Sequence, residues 1–285
     1  MKLAFVFVCQ GGELAPQASL LAASLDYFLR IDAEVIAAVP NYPEVFPPSK
    51  QVIQFLKKLN VRIEYIDNHI DRRYLIANKL SCFNIQTEAE QLIFLDSDIM
   101  CMREFREETK ITNADFAARL TDLSDLTQLE WQKIYQYCHS DLPHFSFKSS
   151  ISNEDMPLCF NSGIIVTTKA KQLYAKWVAY AKHLNKPSLF PKCRPFLDQI
   201  SLPFAVSSLG LSCHLLNQDF HWSLPLLPIN SHKLPQFVHY HEPIHLLGDD
   251  ASTGIARLLI KTYPELKSII SCDPILSLLN KPNID

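Results

Sequence analysis

The chain has 285 residues, 48% of them hydrophobic and 20% charged, which is enough apolar material for one large α/β domain or two small ones. A formal net charge of −3 leaves no broad basic field and argues against nucleic-acid binding through phosphate contacts. Its eight cysteines form no Cys-x-x-Cys pair, so they read as reduced, mostly buried thiols of a cytoplasmic protein rather than as structural zinc ligands.

The first half alternates strand and helix patterns. Residues 3–8 form a short, wholly apolar run, the pattern of a buried parallel strand. That run is too short to span a bilayer and lacks the flanks of a secretory signal, and no other run is long enough for a transmembrane helix. Residues 14–29 predict an Ala/Leu-rich helix with Leu21, Leu25 and Phe28 on one face. A second strand is expected over 34–39, a helix over 51–59, a third strand over 61–66 and a helix over 72–83. A fourth strand, 92–95, runs into Asp96. This order predicts an α/β fold with a doubly wound, mostly parallel sheet.

The second half is less regular. Strands are expected at 116–120, 163–167 and 238–240, and helices at 126–137, 170–184, 255–263 and 276–279. Residues 140–156 are polar and read as a loop able to cover a site on the acceptor side. The reading is one domain over 1–285: a nucleotide-binding half to 120, a sugar and acceptor half over 121–249, and a helical appendage over 250–285.

Only six glycines are present, with no Gly-x-Gly-x-x-Gly and no Gly-x-x-x-x-Gly-Lys. A dinucleotide oxidoreductase is therefore disfavoured. A bound diphosphate would have to be neutralised by a metal and basic side chains instead of a glycine cradle.

The central feature is the strand 92–95 followed by Asp96-Ser97-Asp98. Ligands of open α/β sheets bind beyond the carboxyl ends of strands. Residues two apart in extended chain point the same way. Asp96 and Asp98 can thus share one hard cation, Mn²⁺ or Mg²⁺; alternatively they form a solvated turn. Lys79 falls in the apolar stripe of its predicted helix, where it must meet an anion or snorkel to the surface. His239 follows an apolar strand and can donate a ring nitrogen to a metal, with His241 and His245 as rivals. Gly163 permits a tight strand entry or a close approach of ligand. Pro203, four after Gln199, either kinks a helix there or opens a later one.

Taken in order, Asp96-x-Asp98, Phe160-Asn161-Ser162-Gly163-Ile164-Ile165, Leu197-Asp198-Gln199 and Val238-His239-Tyr240 resemble the GT-A nucleotide-sugar transferases, nearest to family 8, the glycogenin-like and bacterial galactosyltransferase group. The resemblance covers roughly residues 3–245. It implies a GT-A fold and a metal-dependent, retaining hexosyl transfer from a nucleotide-sugar donor, UDP-linked, to an unidentified acceptor: a glycan, a protein or a small molecule. By position it implies Asp96, Asp98 and His239 as metal ligands. It places Lys79, Asn161, Gly163, Gln10 and Ser97 near the donor, and Asp198 and Gln199 at the sugar and anomeric carbon. The family follows its histidine with glycine and a Lys-Pro pair, whereas this chain continues Tyr240-His241-Glu242-Pro243. Loss of that lysine leaves a silent nucleotide-sugar binding protein as an alternative. An Asp-x-Asp phosphohydrolase is a weaker one, since such enzymes carry threonine two after the pair and this chain has Met100.

Overall fold

The computed structural model describes residues 2–106, 113–121, 126–141, 146–148, 155–194, 196–229 and 233–281. Its strands are β1 (Leu3–Val8), β2 (Ala33–Pro40), β3 (Arg62–Ile66), β4 (Gln91–Leu95), β5 (Ile99–Cys101), β6 (Phe116–Leu120), β7 (Ser146–Lys148), β8 (Asp155–Pro157), β9 (Phe160–Thr167), β10 (Cys213–Leu215), β11 (His221–Ser223) and β12 (Phe237–His239). Its α-helices are α1 (Leu14–Phe28), α2 (Lys50–Lys58), α3 (Asn78–Ser81), α4 (Gln128–Tyr137), α5 (Ala170–Leu184), α6 (Leu197–Ser208), α7 (Pro243–Leu247), α8 (Asp250–Thr262) and α9 (Pro264–Ile270).

Seven strands form the main sheet, in the order β10-β6-β9-β4-β1-β2-β3. The pairs β1–β2, β2–β3, β1–β4 and β6–β10 are parallel, and only β9 runs against its neighbours. This is the expected doubly wound, mostly parallel arrangement. The strand order turns back between β1 and β4, so their carboxyl ends open a crevice at the switch point. β1 is buried along its whole length because both faces of the sheet are covered. Leu3, Phe5, Phe7 and Cys9 enter the core layer under α1, while Ala4, Val6 and Val8 enter the layer under α5 and α6. α1 is buried nearly all round, since α2, α8 and α9 pack over it.

A second sheet, β11-β12-β5, sits at the crevice and was not foreseen in full. β5 starts directly after Asp98 and pairs antiparallel with β12, aligning Ile99 with His239. β11 pairs parallel with β12, aligning Ser223 with His239. Met100 is fully buried in β5, so the position where a phosphohydrolase would place its threonine faces core.

The expected helix over 72–83 is corrected to three short pieces: a 3₁₀ turn at Leu75–Ala77, α3, and a 3₁₀ turn at Cys82–Asn84. Asn68 takes the amide N–H groups of Ile70 and Asp71, and Asp71 takes that of Arg73, so turn chemistry replaces the first helical turn. Arg72 lies outside any helix and pairs with Asp67 at 2.8 Å. Gly163 lies inside β9, not at its entry. Helix α6 begins at Leu197 and runs through Pro203 to Ser208, so Pro203 does not open a later helix. The segment expected as a loop over 140–156 contributes β7, paired with β8; residues 142–145 and 149–154 of it lie outside the described residues. No described helix is long and apolar enough to cross a membrane.

Candidate active site

A cavity of about 490 Å³ opens beyond the ends of β1 and β4. Gln10, Lys79, Asp96, Ser97, Asp98, Asn161, Asp198, Gln199 and His239 all line it. Gly163, His245 and Pro203 do not line it, and Gly163 stands behind His239. Ser97 Oγ donates to the carbonyl of Val8 at 2.6 Å and ties β1 to the Asp-x-Asp turn. Tyr42 donates to Asn78, and Asn78 donates to Gln10 Oε1 at 3.0 Å, so the Gln10 side chain is fixed at the cavity wall.

Lys79 is the electrostatic hub. It does not snorkel: its Nζ lies 2.9 Å from Asp96 Oδ2, 3.0 Å from Asp198 Oδ2 and 3.1 Å from Ser162 Oγ. Burial alone would lower its pKa, but Asp198 and Asp96 outweigh burial and raise it. Asp198 sits at 3% exposure and also accepts from Ser162 at 2.5 Å. Burial, followed by repulsion from Asp98, raises Asp96 above the ordinary carboxylate range, with Lys79 opposing. Burial pushes Asp98 the same way, but the His239 contact more than offsets it, and Asp98 ends below its ordinary value.

His239 reaches the cavity from the end of β12, with Nε2 3.2 Å from Asp98 Oδ2. On its far side Nδ1 lies 3.2 Å from Nε2 of the fully buried His221. His241 stacks on His239, ring centroids 3.7 Å apart and planes 18° apart. His245 turns away and bonds the Tyr240 carbonyl through Nδ1. Among the described residues, Asp98, His239 and His241 bring ligand atoms within 4.8 Å of one another, a donor set suited to a divalent ion.

The requirement for glycine at 163 is now physical. A Cβ built there would stand 2.5 Å from His239 Cε1 and 2.7 Å from its Nδ1. The Gly163 carbonyl also accepts from the amide of Asp96 at 2.8 Å, so one residue seats both walls of the corner. Gly163→Ala is expected to drive the His239 ring off Asp98 and strain β9 by about 1–3 kcal/mol. At roughly 2–4 °C per kcal/mol this is a visible fall in melting temperature by calorimetry.

Gln199 accepts from Thr121 Oγ1 at 2.9 Å, so its amide nitrogen is the end left to donate. Pro203 removes the helical donor that its backbone carbonyl would otherwise meet, and Cys159 Sγ takes that carbonyl at 3.5 Å. A smaller cavity of about 280 Å³ shares Asn161, Phe196, Gln199 and His241 with the larger one, and is closed by Thr121, Ser223, Pro225 and Leu226. Sequence reasoning missed Ser162, Thr121, His221 and Ser223. Ser162 sits inside the quoted Asn-Ser-Gly motif and was legible in principle. His221 and Ser223 carry no local signal.

A doubly wound sheet with an Asp-x-Asp at the switch point and carboxylates, lysine and imidazoles around one crevice defines a GT-A glycosyltransferase. The chain belongs to the family described as the Rhodobacterales glycosyltransferase domain, whose model matches residues 5–210. Among solved structures it is similar to mouse xyloside xylosyltransferase 1 in its apo form, with a TM-score of 0.50 and 11% identity over 84% of this chain and 97% of that one. It is also similar to the apo bifunctional glycosyltransferase WbbM, with a TM-score of 0.54 and 14% identity over 95% of this chain, which spans about half (51%) of that one. At such identities these likenesses show the fold. No curated protein matches the sequence.

Proposed function

We propose that this glycosyltransferase transfers a hexose from a UDP-linked donor, with retention of anomeric configuration and with Mn²⁺ or Mg²⁺ bound at the corner formed by Asp96, Asp98 and His239. The observation that carries this reading is a charge imbalance. Three largely buried carboxylates, Asp96, Asp98 and Asp198, face one ammonium, that of Lys79. Buried charge must be compensated, and a divalent cation closes the deficit. When bound, such an ion supplies Lewis-acid stabilisation to the departing nucleoside diphosphate.

The chain's own groups divide the remaining work. Gln10, with Leu75 and Ile76 at the cavity lip, flanks the nucleoside. Lys79 holds Asp96 and Asp198 in register and adds positive charge beside the donor. Asn161 and Asp198 bind donor-sugar hydroxyls. Gln199, oriented by Thr121, lies under the ring near the anomeric carbon. The acceptor enters through the smaller cavity, against Phe196 and Leu226, and attacks from the face the diphosphate leaves. We propose that residues 1–285 work as one catalytic domain, with an acceptor that is a glycan, a protein or a small molecule. The eight cysteines are all free, which supports a reducing, cytoplasmic setting.

Calorimetric titration with UDP and GDP tests the donor site. UDP should bind in the presence of Mn²⁺, and binding should fall by about 100-fold or more in Asp96→Ala/Asp98→Ala, which removes two carboxylate ligands. Absence of nucleotide binding with or without the ion, or binding indifferent to it, would refute the reading. Product-anomer analysis by NMR tests retention, and an inverted product would overturn that part alone.

A further inference from the structure

We propose that Ser162 and Tyr74 are positioning residues that fix the Asp198 carboxylate through its two oxygens, so that Asp198 presents a lone pair of Oδ1 to the donor sugar. This deepens the transfer reading above and rests on it, because Asp198 has a sugar to hold only if the donor is a sugar nucleotide. Asp198 lines the cavity, whereas neither Ser162 nor Tyr74 does.

The first observation is how the oxygens of Asp198 are used. A carboxylate has about four lone-pair sites on its two oxygens. Oδ2 accepts from the Ser162 hydroxyl at 2.5 Å and from the Lys79 ammonium at 3.0 Å, which fills it. Oδ1 accepts from the Tyr74 hydroxyl at 3.4 Å, and among the described residues no other side chain reaches it. One acceptor site thus stays open on a side chain that is 3% exposed at the cavity wall. The terminal torsion of aspartate is broad, so a carboxylate without these holds would sample many orientations.

The second is that both donors are fixed from outside the cavity. The ladder between β6 and β9 passes from Ala118 opposite Ile165 to Arg119 opposite Asn161. Residues 162–164 have no counterpart on β6, and such bulges re-aim side chains next to active sites. Ser162, 1% exposed, meets Asp198 and Lys79 there, while its neighbour Asn161 lines the cavity. Its hydroxyl accepts from Lys79 at 3.1 Å, so its single proton is directed to Asp198.

Tyr74 is clamped at its backbone and its ring. Its amide donates to the Asp71 carbonyl at 2.8 Å, and its carbonyl accepts from Asn68 Nδ2 at 3.0 Å. The Arg194 guanidinium lies 5.1 Å from the centroid of its ring. The amides of Leu197 and Asp198 point at the phenol oxygen. Phe196 gives α6 no side-chain cap, so Tyr74 serves the first amides of the very helix that carries Asp198. Its 3.4 Å contact is longer than the about 2.5–3.0 Å of an ordinary O–H···O bond, which makes Ser162 the stronger hold of the two.

The test is calorimetric titration of the full chain, in the presence of Mn²⁺, with UDP, UDP-glucose and UDP-galactose. The proteins are wild type, Ser162→Ala, Tyr74→Phe, Asp198→Asn and the two double variants that combine Asp198→Asn with each of the others. Ser162→Ala should weaken the better-bound sugar nucleotide by about 10-fold, the loss of one hydrogen bond to a charged group, and Tyr74→Phe by about 3-fold. Both should leave UDP within about two-fold of wild type, since UDP lacks the sugar. In the Asp198→Asn background neither should add more than about two-fold, because a residue that acts through Asp198 then has nothing left to position. Losses that fall equally on UDP, or that add in full to that of Asp198→Asn, would make the two residues structural and overturn the proposal. Unchanged affinity for both sugar nucleotides in both single variants would overturn it as well. In each of these cases sugar-nucleotide binding by the wild type leaves the functional reading standing. A wild type that binds neither UDP nor either sugar nucleotide would remove the functional reading, and this proposal with it.

Discussion

Lys79→Met should destabilise the fold by about 3–5 kcal/mol, the cost of leaving buried carboxylates without their cation. In wild type the Lys79 ammonium sits between Asp96 and Asp198, at 2.9 and 3.0 Å. Methionine keeps the length of the stem and its packing beside Phe94 but removes the charge. Asp198, at 3% exposure, then has, among the described residues, Ser162 and Tyr74 as side-chain donors. At roughly 2–4 °C per kcal/mol the melting temperature should fall by at least about 6 °C. The pH dependence gives the mechanism away. Burial already raises Asp96 above its ordinary value, and loss of Lys79, which opposes that shift, raises it further. An acid whose folded pKa exceeds its unfolded pKa binds more protons in the fold, so lower pH favours the fold. The gap between variant and wild type should therefore narrow from pH 7.5 towards pH 5.5. A gap that is constant across this range would mean that the loss is one of packing, not of charge.

The sequence made the first half of the fold legible because several of its strands carry short apolar runs, as in Leu3–Val8 and residues 92–95. It also made the Asp-x-Asp legible, since a carboxylate pair interrupts that apolar pattern abruptly. β5 was hidden for a physical reason. Three residues carry no periodicity, and their partner strand lies more than a hundred residues away, so the pairing is a tertiary fact. The helical pattern over 72–83 breaks into short pieces because Asn68 and Asp71 cap local turns that compete with helix at its start. For Lys79 the apolar stripe correctly demanded an anion or an escape route. What it could not show was that two carboxylates, from β4's end and from α6, arrive at the same ammonium. His221 was invisible for the same reason: its significance is its distance to His239, and nothing in its neighbours along the chain encodes that.

Asp198→Asn should reduce kcat/KM for transfer by about 10- to 100-fold while leaving UDP affinity within about two-fold of wild type, if the lost interaction is a charge-assisted hydrogen bond to the donor sugar. Asparagine is close to isosteric with aspartate, and the α6 backbone contact that Trp177 Nε1 makes with the residue-198 carbonyl at 2.9 Å does not involve the side chain. Lys79 retains Asp96, so the ammonium does not become an unpaired buried charge. Stability should thus fall far less than in Lys79→Met. UDP lacks the sugar and should not sense the change, whereas the intact UDP-sugar should. Parallel calorimetry with UDP and a UDP-hexose separates the two cases. A matched loss for both ligands would make Asp198 a scaffold for Lys79 and Ser162, with no direct hold on the sugar. A loss confined to the sugar nucleotide and to turnover would place its carboxylate on a hydroxyl of the ring, at the end of α6 where Gln199 follows.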